Sequence, residues 1–221
     1  MRPRFASVVL DIDSTVSGIE GIDWLAGLRD PEIAGKIADL TTRAMNGELS
    51  LGEVYAARLE LVRPSRSEIE RLAKAYIANI ASGAHETIRR LTAAGVRIVL
   101  VTGGLREAVL PLAHQLGVSP DDVHAVPLEF DGAGDYLHFD PDALTAAEQG
   151  KRLVVERLEL PRPVLAVGDG VTDAELAPVV DAFAAYVGFV RRAPVVARAD
   201  HVLESFAELE QAVIPSASGA G

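Results

Sequence analysis

The chain has 221 residues, of which 49% are hydrophobic, 24% charged and 5% aromatic, a composition that excludes a disordered or fibrous polymer and suits one globular domain with room for an insertion. The balance of 21 Lys and Arg against 32 Asp and Glu gives a net charge of −11, which speaks against bulk nucleic-acid binding. Cysteine is absent, which removes disulfide frameworks, thiolate zinc sites and cysteine nucleophiles. The start, Met1-Arg2-Pro3-Arg4, reaches Asp11 after a short apolar run, too brief for a signal peptide or a membrane span. A cytoplasmic protein with no membrane partner is expected.

That first run, Ala6 to Leu10, predicts a strand. Residues 16–80 then show helical spacing throughout, far more chain than a strand-to-strand crossover needs. Asp30-Pro31 opens one helix running towards Asn46-Gly47, Ser50 caps a second, and Pro64-Ser65 separates it from a third beginning near Ser67, with Glu70 at capping-box spacing. Leu51, Val54, Tyr55, Leu59 and Val62 form a stripe that reads as core. Four more apolar runs follow at Val96–Val101, Val164–Val167, Phe183–Val187 and His201–Leu203, alternating with helical segments. Apolar runs without polar alternation suit strands buried on both faces, so the expected fold is α/β, a doubly wound parallel sheet with an inserted helical cap. Residues 1–15 and 81–221 would form the core and 16–80 the cap. Within the core, Val123 to Phe139 reads as a flap, two short strands joined by a turn at Phe130-Asp131-Gly132-Ala133-Gly134-Asp135-Tyr136. The small, polar stretch 215–221 is expected to be disordered.

In such a sheet, ligands bind beyond the carboxyl ends of the strands. The first strand delivers Asp11-Ile12-Asp13-Ser14-Thr15 there, the second Thr102-Gly103-Gly104, and the third Gly168-Asp169-Gly170-Val171-Thr172-Asp173. Alone, the first group reads equally well as a turn or helix cap, and the second as a Gly-rich turn before a helix starting at Leu105. Together they converge four carboxylates, which raise one another's pKa unless a hard cation such as Mg²⁺ joins them. Lys151 is the candidate counter-charge. The five histidines show no metal-ligand spacing, and the glycines around Asp169 do not make a dinucleotide fingerprint.

The ordered set of Asp-x-Asp, Thr, Lys and Gly-Asp-Gly-x-x-Asp at strand ends resembles the haloacid dehalogenase superfamily of phosphatases. With Glu20-Gly21-Ile22-Asp23 and the segment from Arg58 to Arg66 added, the chain resembles the phosphoserine phosphatase family over most of its length. The resemblance implies hydrolysis of a small phosphomonoester, O-phosphoserine, at the end of serine biosynthesis. It makes Asp11 the nucleophile and Asp13 the acid and base. Asp11, Asp169 and the main-chain carbonyl of Asp13 would hold Mg²⁺ with Asp173 as support, and Thr102, Gly103 and Lys151 would bind the phosphoryl group. Glu20, Arg58 and Thr172 would bind the rest of the substrate, a zwitterion needing one anion and one guanidinium fork. The protein would act as a monomer or homodimer. Thr102 stands where many members have Ser, Thr172 where many have Asn, Leu51 where Phe is common and Pro127 where Asn is frequent; the last two bear on substrate choice. Another small phosphomonoester as substrate, a receiver domain that accepts phosphate, and a non-catalytic phospho-amino-acid sensor are the competing readings.

Overall fold

The computed structural model describes residues 2–46, 48–49 and 51–215, and for 51–53 it describes the backbone alone. A central sheet is built from β1 (Ser7–Leu10), β2 (Arg97–Leu105), β3 (Val123–Val126), β6 (Val164–Gly168), β7 (Ala182–Tyr186) and β8 (His201–Leu203), and a hairpin from β4 (Leu128–Phe130) and β5 (Tyr136–Phe139). The sheet order is β3-β2-β1-β6-β7-β8 and every pair is parallel. The fold is therefore the expected doubly wound α/β sheet. Alternation along β1 shows why its run is continuously apolar: Val8 and Leu10 join one buried cluster and Val9 joins another on the opposite face.

Between β1 and β2 come α1 (Gly21–Ala26), α2 (Pro31–Met45), α3 (Leu51–Val62), α4 (Arg66–Ala78) and α5 (Ala84–Ala93). The first four form the helical insert. Later in the chain stand α6 (Arg106–Leu116), α7 (Gly150–Arg157), α8 (Val171–Ala174), α9 (Ala193–Val196) and α10 (Phe206–Val213). Residues from α5, α6 and α10 pack with the first cluster, and residues from α7, α8 and α9 with the second. The chain enters the insert beside the point where it leaves: Gly18 N–H donates to Asn79 O at 2.9 Å and Ala81 N–H to Val16 O at 2.9 Å.

Several expectations shift. The second strand runs on through Thr102-Gly103-Gly104 to Leu105, with an irregular register against β3 between Val101 and Leu105, so this tripeptide lies in a strand and not in a turn. Residues 123–126, taken as part of the flap, pair with β2 as an edge strand of the main sheet; the remainder is the expected hairpin, turning at 131–135. Asp30 does cap α2, accepting from Glu32 N–H. The capping box of α4 sits two residues earlier than the Ser67–Glu70 spacing suggests. It is formed by Ser65 and Glu68, because Glu68 is also gripped by both terminal nitrogens of Arg29 at 2.6 and 2.7 Å. Val54, Tyr55, Leu59 and Val62 are buried as the stripe predicts. The cap role of Ser50, the side chain of Leu51 and the stretch 216–221 lie outside the described residues.

Candidate active site

β2, β1 and β6 are neighbours in the sheet, and the strand order reverses between β1 and β6. A crevice opens at such a reversal. Asp11 follows β1, Thr102 and Gly103 lie near the end of β2, and Asp169 follows β6. Ser14, in the left-handed region at φ 50°, bends the chain sharply after Asp13. Glu20 then stands directly before α1 and accepts from Ser14 Oγ at 2.7 Å. The result is a cleft lined by Asp11, Asp13, Glu20, Ile22, Asp23, Met45, Tyr55, Arg58, Thr102, Gly103, Lys151, Asp169 and Thr172. All the residues singled out above for catalysis, phosphate, metal and substrate are in that lining except Asp173, which lies just behind it. Pro127 is not in it.

Lys151, in the first turn of α7, is buried between two carboxylates, with Nζ 2.7 Å from Asp11 Oδ1 and 2.7 Å from Asp173 Oδ1. Burial pulls its pKa down, but the two carboxylates outweigh that and raise it, so the ammonium stays charged. Asp173 reaches this place because residue 168 is glycine: a Cβ there would lie 2.1 Å from Asp173 Cγ. Burial and the charge of Asp11 push Asp173 up to about 6. Asp169 is raised well above the carboxylate range by burial and by Glu20.

Asp11, Asp169 and Asp173 offer oxygens within 4.8 Å of one another. Asp11 Oδ1 is buried with no hydrogen-bond donor correctly directed at it, despite the nearby ammonium. Hard oxygen ligands at this spacing fit a metal ion. The carboxyl group of Asp13 is engaged elsewhere: its Oδ1 accepts from Tyr76 O–H at 2.6 Å and from Gly21 N–H at 3.0 Å. Burial, then Glu20 and Asp11, raise Asp13 well above its ordinary value, which favours its protonated form.

On the insert side, Arg58 is only 4% exposed. Nη1 donates to Thr41 Oγ1 at 2.8 Å, Thr41 donates in turn to Asp23 at 2.6 Å, and the guanidinium lies 5.7 Å from the centre of the Tyr55 ring. Its Nε is buried with no partner. Glu20 is raised by burial, with Asp23 and Asp11 adding to the effect. The cleft thus offers a guanidinium with one nitrogen unpaired and a carboxyl group, Arg58 and Glu20, together with Lys151 and the Asp cluster.

Three residues of this site escape a reading of the sequence. Tyr55, read as core, also donates its hydroxyl to Gly103 O at 2.7 Å, tying the insert to the end of β2. Tyr76 reaches Asp13 across the same interface, and helical spacing gives no sign of it. Arg192 follows β7 and forms a charge-assisted hydrogen bond with Asp169 Oδ2, with Glu20 Oε1 3.9 Å away. Its position after the fourth apolar run, at the carboxyl edge of the sheet, was the available signal.

The sheet, the insert and the acidic edge define a hydrolase of the α/β class. Residues 5–181 match the haloacid dehalogenase-like hydrolase family, and the chain belongs to it. It is 35% identical over 215 residues to the phosphoserine phosphatase of Rattus norvegicus, covering 95% of both chains. It is 34% identical over 209 residues to the chloroplastic phosphoserine phosphatase of Arabidopsis thaliana, covering 92% of this chain and 70% of that one. Among solved structures, a phosphoserine phosphohydrolase-like protein from Francisella tularensis superposes with a TM-score of 0.83 at 23% identity, covering 95% of this chain and 98% of that one. This likeness supports the fold. Among the described residues, no helix is long and apolar enough to cross a membrane.

Proposed function

We propose that the chain catalyses Mg²⁺-dependent hydrolysis of O-phospho-L-serine to L-serine and phosphate through an aspartyl phosphate on Asp11. The observation that carries the substrate is Arg58, a buried arginine with Nε unpaired that lines the same cleft as Glu20. A buried guanidinium with an unpaired nitrogen is costly, and a substrate carboxylate would add a charged partner to the one Thr41 supplies while Glu20 takes the ammonium. The names of the relatives agree with this reading.

In the first displacement Asp11 attacks phosphorus, the bond from phosphorus to the serine oxygen breaks, and Asp13 gives that oxygen its proton. In the second, water attacks the aspartyl phosphate, Asp13 takes a proton from the water, and Asp11 is released. Thr102, Gly103 and Lys151 hold the phosphoryl oxygens. Thr102 Oγ1 already accepts from Gly104 N–H at 3.0 Å, which orients the hydroxyl. Asp11, Asp169 and the carbonyl of Asp13, supported by Asp173, would hold Mg²⁺, which when bound neutralises charge on the phosphoryl group. Thr172 lines the same cleft and would contact the rest of the substrate. Residues 16–80 act as a cap over the core formed by 1–15 and 81–221, excluding water during the first displacement.

The test is phosphate release from a panel of phosphomonoesters with Mg²⁺, with a chelator, and with Asp11→Asn as background. A metal-dependent preference for O-phospho-L-serine is expected. Turnover of other esters but not of phosphoserine would overturn the substrate and keep the chemistry.

A further inference from the structure

Asp13 is held asymmetrically. Tyr76 O–H and Gly21 N–H both donate to Oδ1, at 2.6 and 3.0 Å, while none of the hydrogen bonds among the described residues engages Oδ2. Asp13 lines the cleft. A backbone N–H can only donate, so a proton on Oδ1 would be pressed against the hydrogen of Gly21, whereas a proton on Oδ2 meets no such neighbour. The arrangement is built in. Tyr76 is 0% exposed in α4. It approaches α1 this closely because residue 21 has no side chain: a Cβ at Gly21 would lie 2.1 Å from the Tyr76 hydroxyl oxygen.

We propose that Tyr76 is a positioning residue that divides the work of Asp13 between its two oxygens. Oδ1 is the anchored atom, and Oδ2 carries the proton that passes to the departing ester oxygen and later receives one from the attacking water. No other atom or electron is required: the bond from phosphorus to the ester oxygen breaks, the Oδ2–H proton goes to that oxygen, and the bond from Asp11 to phosphorus forms. Tyr76 belongs to the insert and Asp13 to the segment after β1, so the acid is aimed only when the insert lies against the sheet. The inference rests on Asp13 being the acid and base of the proposed reaction.

A leaving group that departs as an alkoxide needs the proton, and a nitrophenolate does not. The experiment measures kcat/KM, which reports the first displacement, for Tyr76→Phe against the unaltered protein on O-phosphoserine and on a series of phenyl phosphates with leaving groups of falling pKa. The expected result is a loss of about 10- to 100-fold on phosphoserine, shrinking along the series and vanishing at p-nitrophenyl phosphate. An equal loss on every substrate, or no loss on phosphoserine, overturns the proposal. Gly21→Ala, which displaces the hydroxyl without removing it, should reproduce the same slope and serves if the Phe variant does not fold. Asp13→Asn separates the layers. If it shows the leaving-group dependence and Tyr76→Phe does not, this inference alone fails; if Asp13→Asn itself shows none, the acid–base reading of Asp13 fails as well.

Discussion

Two regions meet in the cleft and hold their polar groups by different means. At the edge of the sheet, Asp11, Thr102 and Asp169 leave strands that are hydrogen-bonded to both neighbours, and their directions follow from the strand register. In the insert, Tyr55, Arg58 and Tyr76 project from helices whose place depends on side-chain contacts: Tyr55 on Gly103, Tyr76 on Asp13, Arg29 on Glu68. Under the proposed function, the edge would carry the chemistry on a backbone-braced frame, and the insert would carry recognition and aim through side-chain contacts.

The largest effect belongs at the edge. Asp11→Asn should remove at least about 10⁴-fold of kcat on phosphoserine while leaving circular dichroism unchanged, because the strand and not the carboxylate holds residue 11. In the insert, Arg58→Ala should cost about 10²- to 10³-fold in kcat/KM on phosphoserine, the magnitude of losing one partner of a buried charge pair. Its effect on a phosphomonoester with no carboxylate should be much smaller, and equal losses on both would move Arg58 from recognition to structure.

Arg192 acts at the edge, on Asp169. Its guanidinium holds one oxygen of Asp169, a carboxylate that a cation would also claim. Arg192→Gln should therefore tighten Mn²⁺ binding in the absence of substrate by about tenfold, the worth of one charge-assisted hydrogen bond, read by calorimetry or by the paramagnetic signal of free Mn²⁺.

The smallest effect is on stability. Glu68 is held by Arg29 and lowered to about 2 from 4.5. A lowered carboxyl stabilises the fold fully above its unfolded value and loses that contribution as pH falls from about 4.5 through about 2. Because the pair is partly exposed, with 21% and 18% of the two side chains accessible, solvent screening reduces its worth. Glu68→Gln should cost about 1 kcal/mol at pH 7 in chemical denaturation, with the gap closing towards pH 2.

Much of the edge was legible because strand ends, glycines and acids occur there as contiguous motifs. The helices between β1 and β2 were legible as an insert, since their number and spacing exceed what a crossover requires. The limits were local. Thr102-Gly103-Gly104 looked like a turn because two glycines usually mark one, but pairing to a neighbouring strand carries β2 through them. β3 is only Val123–Val126, too short to separate from the hairpin that follows. Ser65 won the cap of α4 over Ser67 because Arg29, distant in sequence, holds Glu68 in place.

By itself the sequence determined which backbone segments could end at the crevice and which charges they would carry, since hydrophobic period, glycine and acid spacing are properties of neighbouring residues. Only the tertiary structure decided that Tyr76 meets one oxygen of Asp13, that Arg192 returns to Asp169, and that Arg58 keeps a buried nitrogen free. The first two contacts join residues 63 and 23 positions apart, and such pairs are fixed by how helices pack and where loops close, quantities that no local pattern encodes.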